Sequence, residues 1–176
     1  MIFWKKRSAA TGPELRDHGQ IARMTLPPWP EVAPRTPTRG PVKRYQAPGD
    51  GRTRLLFSRT ATPLPSAQAA LFASLLRQAP FRLRSDHLWD LVALTHDMPS
   101  PDYFQVDSAR TETWNGRAVM IIEGLWKSDG EAEFHMFAGT DDPEFVDQIC
   151  FIGPREDFAR HKSDILKCFR SIEWKP

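Results

Sequence analysis

The chain has 176 residues, of which 40% are hydrophobic and 26% charged, and its formal net charge is +2. This length predicts one domain with appendages. No apolar run approaches the ~18 residues that a membrane-spanning helix needs, and the two cysteines, Cys150 and Cys168, exclude a disulfide-rich scaffold. Both cysteines lie in apolar segments, so we expect buried free thiols.

Charge is distributed unevenly along the chain. Residues 1–54 carry 11 Lys/Arg and 4 Asp/Glu, whereas residues 55–176 carry 13 and 18. A basic segment on an acidic body can bind an acidic partner, or it can fold onto its own body. Nucleic acid is not expected as a partner, because the basic residues are dispersed among prolines. The opening "MIFWKKR" predicts at most weak membrane-surface contact, and its order is the reverse of a secretory signal, so we expect a cytoplasmic location.

Residues 13–48 hold eight of the sixteen prolines. Proline removes amide donors and disfavours helix and sheet. Residues 1–48 are therefore predicted to be a basic, proline-rich arm, extended or partly disordered, and residues 49–176 the folded domain. Trp29 and Tyr45 are candidate contacts that pin the arm to the domain. The stretch "PRTP" also fits a P-x-x-P ligand.

The domain is predicted to begin with a strand over 53–60, which the Pro63/Pro65 pair ends. Apolar residues at helical spacing predict a helix over 65–78 and a second over 85–98. The second helix is expected to stop before Pro99 and Pro101.

From residue 103 apolar and polar residues alternate with a period of two, which predicts the strands of an antiparallel meander. Asn115-Gly116 is typical of a type I′ turn, whose two central residues both need positive φ. This turn pairs Trp114 with Arg117 and, further along, Ser108 with Glu123. Strand 117–126 is apolar on both faces, which is typical of a central strand. Strands over 132–139 and 144–153 follow, then an amphipathic helix from Pro154 and a short final strand or docked tail in "SIEW".

The last 70 residues resemble the PsbP-like superfamily, whose fold also occurs in a small Ran-binding nuclear import factor, DcrB-like proteins and Eag chaperones of secretion effectors. The matching positions are Asn115, Gly116, Phe158, Ile165, Leu166, Phe169, Ser171, Ile172 and Trp174. The resemblance covers residues 103–176 and extends to 52–176, although the first strands of the family pattern are not visible in the proline-rich arm. It implies an α+β fold, with an antiparallel sheet flanked by helices, that holds a protein or a ligand. Members are overwhelmingly non-enzymatic.

No nucleotide-binding, hydrolase or metalloprotease motif occurs in the chain. His87 and His96 are nine residues apart on a predicted helix and fall on opposite sides, so they do not share a metal. Asp141 and Asp142 lack the further oxygen donors of a calcium loop. We therefore expect no cofactor and no metal.

Glu123 is the one carboxylate in the two-faced strand 117–126. If the following loop has three residues, Glu123 lies opposite His135; if it has four, it lies opposite Phe134. An ion pair with His135 on an exposed sheet face is the favoured interpretation. A ligand contact on a concave face and a general acid–base pair are the alternatives.

The predicted function is a non-catalytic protein-binding module, adaptor-like or chaperone-like, of a bacterial cell. A small-molecule or lipid-binding domain that uses the concave sheet face is the alternative. The candidate binding surface comprises Arg110, Trp114, Glu123, Trp126 and His135. Trp114 and Trp126 flank the ends of the central hairpin, where two exposed aromatic side chains would form an interface hot spot.

Overall fold

A computed structural model describes residues 12–33, 41–49 and 51–176 of the chain. Its elements are β1 (Glu14–His18), β2 (Ile21–Thr25), β3 (Lys43–Gln46), β4 (Arg54–Arg59), α1 (Ser66–Arg77), β5 (Phe81–Arg82), α2 (Ser85–Asp90), α3 (Val92–Thr95), β6 (Phe104–Trp114), β7 (Arg117–Trp126), β8 (Glu131–Gly139), β9 (Val146–Pro154), α4 (Arg155–Arg170) and β10 (Glu173–Trp174). Among the described residues, no helix combines the length and apolarity needed to cross a bilayer.

Two antiparallel sheets organise these elements. The large sheet has seven strands in the order β3-β4-β9-β8-β7-β6-β5, and the small sheet has three in the order β1-β2-β10. Strands β6 to β9 form a continuous meander inside the large sheet. The predicted α+β class, with an antiparallel meander and a C-terminal amphipathic helix, is confirmed.

The large sheet is covered on both faces. On the first, the α4 face, Val119 and Ile121 pack with α4 and the small sheet. On the second, the α1–α3 face, Met120 and Ile122 pack with the three N-terminal helices. All four of these β7 side chains are 0% exposed, so β7 is the central, two-faced strand that the sequence predicted.

The described residues of the predicted arm, 12–33 and 41–48, belong to this fold, which corrects the boundary placed between residues 48 and 49. The β1–β2 hairpin joins β10 in the small sheet, and β3 forms one edge of the large sheet. Leu15, Met24 and Leu26 of this segment are each at most 2% exposed. The runs "ELRDH" and "IARMT" contain no proline and can pair as strands. The predicted P-x-x-P stretch at 34–37 and the opening basic residues lie outside the described residues.

Trp29 and Tyr45 are both buried in the core on the α4 face. The Trp29 ring lies 6.2 Å from that of Phe151. Tyr45 stacks edge-on against Phe57 at 6.0 Å and donates its hydroxyl to Glu31 Oε2 at 3.3 Å. Burial, followed by the charge of Glu31, raises the pKa of Tyr45 to about 12. Both side chains therefore attach the N-terminal segment to the sheet.

The predicted helix over 85–98 is instead divided into α2 and α3. The backbone amide of Ala93 binds Gln68 Oε1 of α1 at 3.0 Å, rather than continuing the ladder of α2. The hydroxyl of Thr95 donates to the carbonyls of Leu88 (2.9 Å) and Leu91 (3.1 Å). The apolar pattern over residues 85–98 is continuous, but the contact with α1 and the hydrogen bonds of Thr95 divide the segment into two short helices.

The predicted register of the β6–β7 hairpin is confirmed, from Trp114 opposite Arg117 to Ser108 opposite Glu123. Asn115 and Gly116 have φ of 50° and 84°, as the turn requires. The Asn115 side chain also donates to the carbonyls of Arg170 (2.9 Å) and Ile172 (2.7 Å) at the end of α4. The turn therefore fixes the position of the C-terminal helix as well as the hairpin.

Replacing Trp29 by alanine tests whether the N-terminal segment is part of the core. We expect Trp29→Ala to lower the free energy of unfolding by about 3–5 kcal/mol, because it leaves a cavity against Phe151. The matched control is Trp89→Ala, which removes a side chain that is 51% exposed and should change stability by less than about 0.5 kcal/mol. Equal urea midpoints for the two variants would show instead that the segment is an independent arm.

Two substitutions at Asn115 separate its backbone role from its side-chain role. Asn115→Gly keeps the positive φ but loses two hydrogen bonds, at a cost of about 1–2 kcal/mol. Asn115→Ala loses the same bonds and adds strain of about 1 kcal/mol. Urea denaturation measures both variants. If the alanine variant is as stable as the glycine variant, the turn does not impose the backbone strain described here.

Candidate functional site

The five residues of the predicted binding surface do not share one surface. Residues that pair across the sheet lie on the same face, and faces alternate along each strand. Arg110 lies on the α4 face, because it pairs with Ile121. Trp114 and Glu123 lie on the same face, because they stand an even number of residues from Arg110 on β6 and from Ile121 on β7. Trp126 and His135 lie on the α1–α3 face, opposite Phe104 and Ile122.

Glu123 does not meet His135. The β7–β8 loop has four residues, so Phe134 lies opposite Glu123 and Ile122 lies opposite His135. The favoured Glu123–His135 pair was therefore wrong, and the four-residue alternative is confirmed. Glu123 forms an ion pair with Lys162 of α4. The two side chains lie in an open groove of about 210 Å³ beside the first turns of that helix.

Arg110 and Trp114 have their polar groups paired within β6. Arg110 binds Glu112 and donates to Ser108 Oγ at 2.6 Å, and Trp114 Nε1 donates to Glu112 Oε2 at 2.7 Å. Burial by itself would raise the pKa of Glu112. The hydrogen bonds from Arg110 and Trp114 have the larger combined effect and hold the pKa of Glu112 below its ordinary value. These side chains therefore form a local network on the strand surface.

Trp126 packs on the other face of the sheet, with its ring 5.0 Å from that of Phe104. Phe104 in turn lies over Gly124. A Cβ atom at Gly124 would stand 2.4 Å from the Phe104 ring and 2.3 Å from the Gln105 carbonyl. Glycine is required here for close packing between β7 and the start of β6, whereas its φ is unremarkable.

A buried polar cluster, comprising Glu133, His135, Gln148 and Cys150, occupies the α1–α3 face. His135 Nε2 lies 2.6 Å from Glu133 Oε2 and 3.5 Å from Cys150 Sγ, and Nδ1 lies 2.7 Å from the Gln148 amide. Burial, and then the charge of Glu133, raise the pKa of the Cys150 thiol well above its ordinary value. Cys168 packs against the core on the α4 face, so the sheet separates the two cysteines.

The sequence did not reveal this cluster. His135 and Cys150 are brought together by the β8–β9 register, which places them directly opposite each other. Glu133 joins them because it lies two residues before His135 on the same face of β8. The signal in the sequence was an alternation of polar residues within "AEFHMF", but the partner strand could be aligned only with the register in hand.

The described residues line a small cavity and several larger grooves. The small cavity lies between the two sheets, next to Ile21, Phe57 and Trp174, and holds about 10 Å³. Larger spaces, of about 320 Å³ beside β5 and about 530 Å³ beside β10, are open surface grooves. Glu133, His135 and Cys150 line none of these spaces.

A second feature is an acidic aromatic surface, formed by the exposed side chains of residues 86–106. Every large hydrophobic side chain that is exposed among the described residues lies in this stretch: Trp89 (51%), Val92 (42%), Tyr103 (60%) and Val106 (37%). Four exposed aspartates accompany them, namely Asp86, Asp90, Asp97 and Asp102. No lysine or arginine occurs between Arg84 and Arg110. This surface therefore combines apolar area with negative charge.

The backbone of this surface contains a strained residue. His96, which is exposed, has φ of 50° and ψ of −123° at the end of α3. A non-glycine residue in this region costs on the order of 1–3 kcal/mol and is enriched at functional sites. The strain lies between Val92 and Tyr103, in the middle of the surface.

The strand order, the two covering layers and the C-terminal helix define an α+β domain with a PsbP-like fold. The cyanobacterial PsbP (CyanoP) of Synechocystis matches with a TM-score of 0.56 and 10% identity, over 97% of this chain and 96% of that one. A Pseudomonas aeruginosa protein of unknown function and candidate regulator, PA94, matches with a TM-score of 0.55 and 14% identity, over 93% and 97%. No protein-family model and no curated protein matches the chain.

These two matches bear on the N-terminal segment as well. They extend over 93% and 97% of the chain, which is more than residues 49–176 alone can supply. The strands that precede residue 49 are therefore part of the shared fold. The sequence showed the resemblance only from residue 52 onward, whereas the structural similarity also includes these earlier strands.

A double-mutant cycle tests the assignment of Glu123 to Lys162. The Lys162 and Glu123 side chains are 35% and 19% exposed, so we expect Glu123→Gln and Lys162→Met to show a coupling energy below about 1 kcal/mol, which salt screens. The matched control pairs Glu123→Gln with His135→Gln and should show additive effects, because the sheet separates the two sites. A larger coupling in the control cycle would overturn the face assignment.

Proposed function

We propose that this domain is a non-catalytic protein-binding module whose acidic aromatic surface docks a partner presenting apolar and basic side chains. The observation that carries this proposal is the concentration of exposed apolar side chains in one stretch. Single exposed apolar residues are ordinary on protein surfaces. Four of them confined to residues 89–106, and absent elsewhere among the described residues, are typical of an interaction site.

The residue types suit an interface. Tyrosine and tryptophan dominate the energetics of protein interfaces, because they bury large areas and lose little side-chain entropy. Trp89 and Tyr103 each leave at least half of their surface exposed. Burying them against a partner gains apolar contact that the folded domain alone leaves unmade. These two side chains are therefore the expected anchors.

The charge of the surface indicates the character of the partner. Residues 55–176 carry an excess of five acidic residues, and the five aspartates between Arg84 and Arg110 account for all of it. Complementary charge steers association and disfavours acidic competitors. A partner with lysine or arginine around an apolar core fits this pattern.

Two alternatives have less support. Small-molecule binding on a concave sheet face requires an open face and an enclosed pocket of several hundred cubic ångströms. Both faces of the large sheet are covered, and the cavity between the two sheets holds only about 10 Å³. Catalysis requires titratable groups that a substrate can reach. Glu133, His135 and Cys150 of the buried polar cluster lie close together, but they line none of the surface grooves described above. Protein binding in an adaptor-like or chaperone-like role, in the cytoplasm, therefore remains our proposal.

Two labelled peptides of equal length and equal leucine and tryptophan content test the proposal, one rich in lysine and arginine and the other in aspartate and glutamate. Fluorescence anisotropy should show that the basic peptide binds and that the acidic one does not. Binding should weaken as salt rises, because the attraction is screened. Trp89→Ala should weaken it by about tenfold or more.

A charge-matched control isolates the surface from net charge. Asp97→Lys changes the acidic aromatic surface, whereas Asp164→Lys makes the same charge change on the exposed side of α4. Only Asp97→Lys should reduce affinity for the basic peptide. Equal losses in the two variants, or equal binding of the two peptides, would remove the support for this surface. In the native host, a photo-crosslinker at Val92 should capture a discrete partner that one at Ser163 does not.

A further inference from the structure

We propose that Glu133, His135 and Cys150 form a mononuclear site for a divalent transition-metal ion of the zinc type. This goes beyond the protein-binding role and does not depend on it. The three side chains offer a carboxylate oxygen, an imidazole nitrogen and a sulfur atom that all lie within 4.8 Å of one another. Among the described residues, this is the cluster of three potential ligands that the fold brings together.

The sheet places the ligands with little freedom. His135 and Cys150 face each other across β8 and β9, and Glu133 precedes His135 by two residues. All three are at most 7% exposed. Ligands on hydrogen-bonded strands are held more precisely than ligands on loops. The site is thus largely formed before an ion enters.

The distances suit a tetrahedral ion. Zinc binds nitrogen and oxygen at about 2.0–2.1 Å and sulfur at about 2.3 Å, which places neighbouring ligand atoms about 3.3–3.6 Å apart. The separation between His135 Nε2 and Cys150 Sγ is already 3.5 Å. Glu133 Oε2, at 2.6 Å from Nε2, has to withdraw by less than about 1 Å, which a side-chain rotation allows.

The second nitrogen of the ring has a side-chain amide as its partner. Metal-binding histidines usually donate a hydrogen bond from the nitrogen that does not bind the ion, which fixes the ring. Nδ1 of His135 lies 2.7 Å from the side-chain nitrogen of Gln148, and turning that amide over places its oxygen there to accept the Nδ1 proton. The ring also stacks on Phe137, with centroids 5.7 Å apart and an angle of 7° between the planes. Nε2 is therefore directed at both Glu133 and Cys150.

The donor set selects the class of ion. Calcium and magnesium prefer oxygen ligands, whereas nitrogen and thiolate sulfur favour zinc and its neighbours in the first transition row. Binding displaces the thiol proton of Cys150, which passes to solvent, while neutral His135 binds the ion through Nε2 and keeps its ring proton on Nδ1. Three protein ligands leave a fourth position for water or for another donor.

Cobalt(II), which adopts zinc-like geometry and is coloured, provides the probe. Untagged, chelator-treated full-length protein is titrated with Co²⁺ under reducing conditions. We expect one equivalent to produce a thiolate-to-cobalt charge-transfer band in the near ultraviolet, and Zn²⁺ to abolish it by displacement. Cys168→Ser is the decisive variant, because it leaves Cys150 as the only thiol in the chain.

The variants distinguish this site from surface histidines. The band should persist in Cys168→Ser and disappear in Cys150→Ser, and Gln148→Leu should weaken binding by about 10- to 100-fold. Circular dichroism first establishes that each metal-free variant is folded; if Cys150→Ser is not, the result for Cys168→Ser decides. No band in the wild-type protein, or loss of the band in Cys168→Ser, would overturn the proposal.

Discussion

The rest of the structure depends on one constraint, the burial of the central strands on both of their faces. Val119, Met120, Ile121 and Ile122 are successive residues of β7, and each is 0% exposed. A strand that is apolar on both sides needs two covering layers. Helices α1 to α3 cover one face, and α4 covers the other together with the small sheet. The N-terminal strands are therefore needed to complete the layer that α4 begins.

Polar contacts at the margins hold that layer in register. Asp147 of β9 accepts hydrogen bonds from the backbone amide of Gln20 (2.6 Å) and from Arg59 Nε (2.7 Å), which anchors the β1–β2 turn. At the opposite end, Ser171 Oγ accepts from the amide of Thr25 at 2.9 Å. The indole of Trp174 donates to the carbonyl of Trp114 at 2.8 Å. The contacts of Gln20, Thr25 and Trp114 satisfy backbone groups at the ends of short strands.

The sequence predicted the parts of the fold that local chemistry determines. Asn115-Gly116 permits one register of β6 against β7, because both residues must have positive φ. The β7–β8 loop offered no such rule, and a difference of one residue in its length exchanges the face of every side chain in β8. The predicted Glu123–His135 pair assumed a three-residue loop and was wrong because the loop has four residues. The buried polar cluster could not be predicted without knowing that loop length. Long-range pairing explains the N-terminal error too: β2 pairs with β10 across about 150 residues, and no local pattern encodes that contact.

The two proposed sites share the α1–α3 face, and one packing contact lies between them. Val106 of the acidic aromatic surface pairs with Gly124, and Gly124 pairs with Glu133 of the buried polar cluster. With neighbouring strands about 4.8 Å apart, these two side chains stand about 10 Å apart in one row. Phe104, which is 1% exposed, fills the space over Gly124 between them. The Phe104 ring therefore occupies the one position in this row that has no side chain of its own, and it belongs to the core on the α1–α3 face.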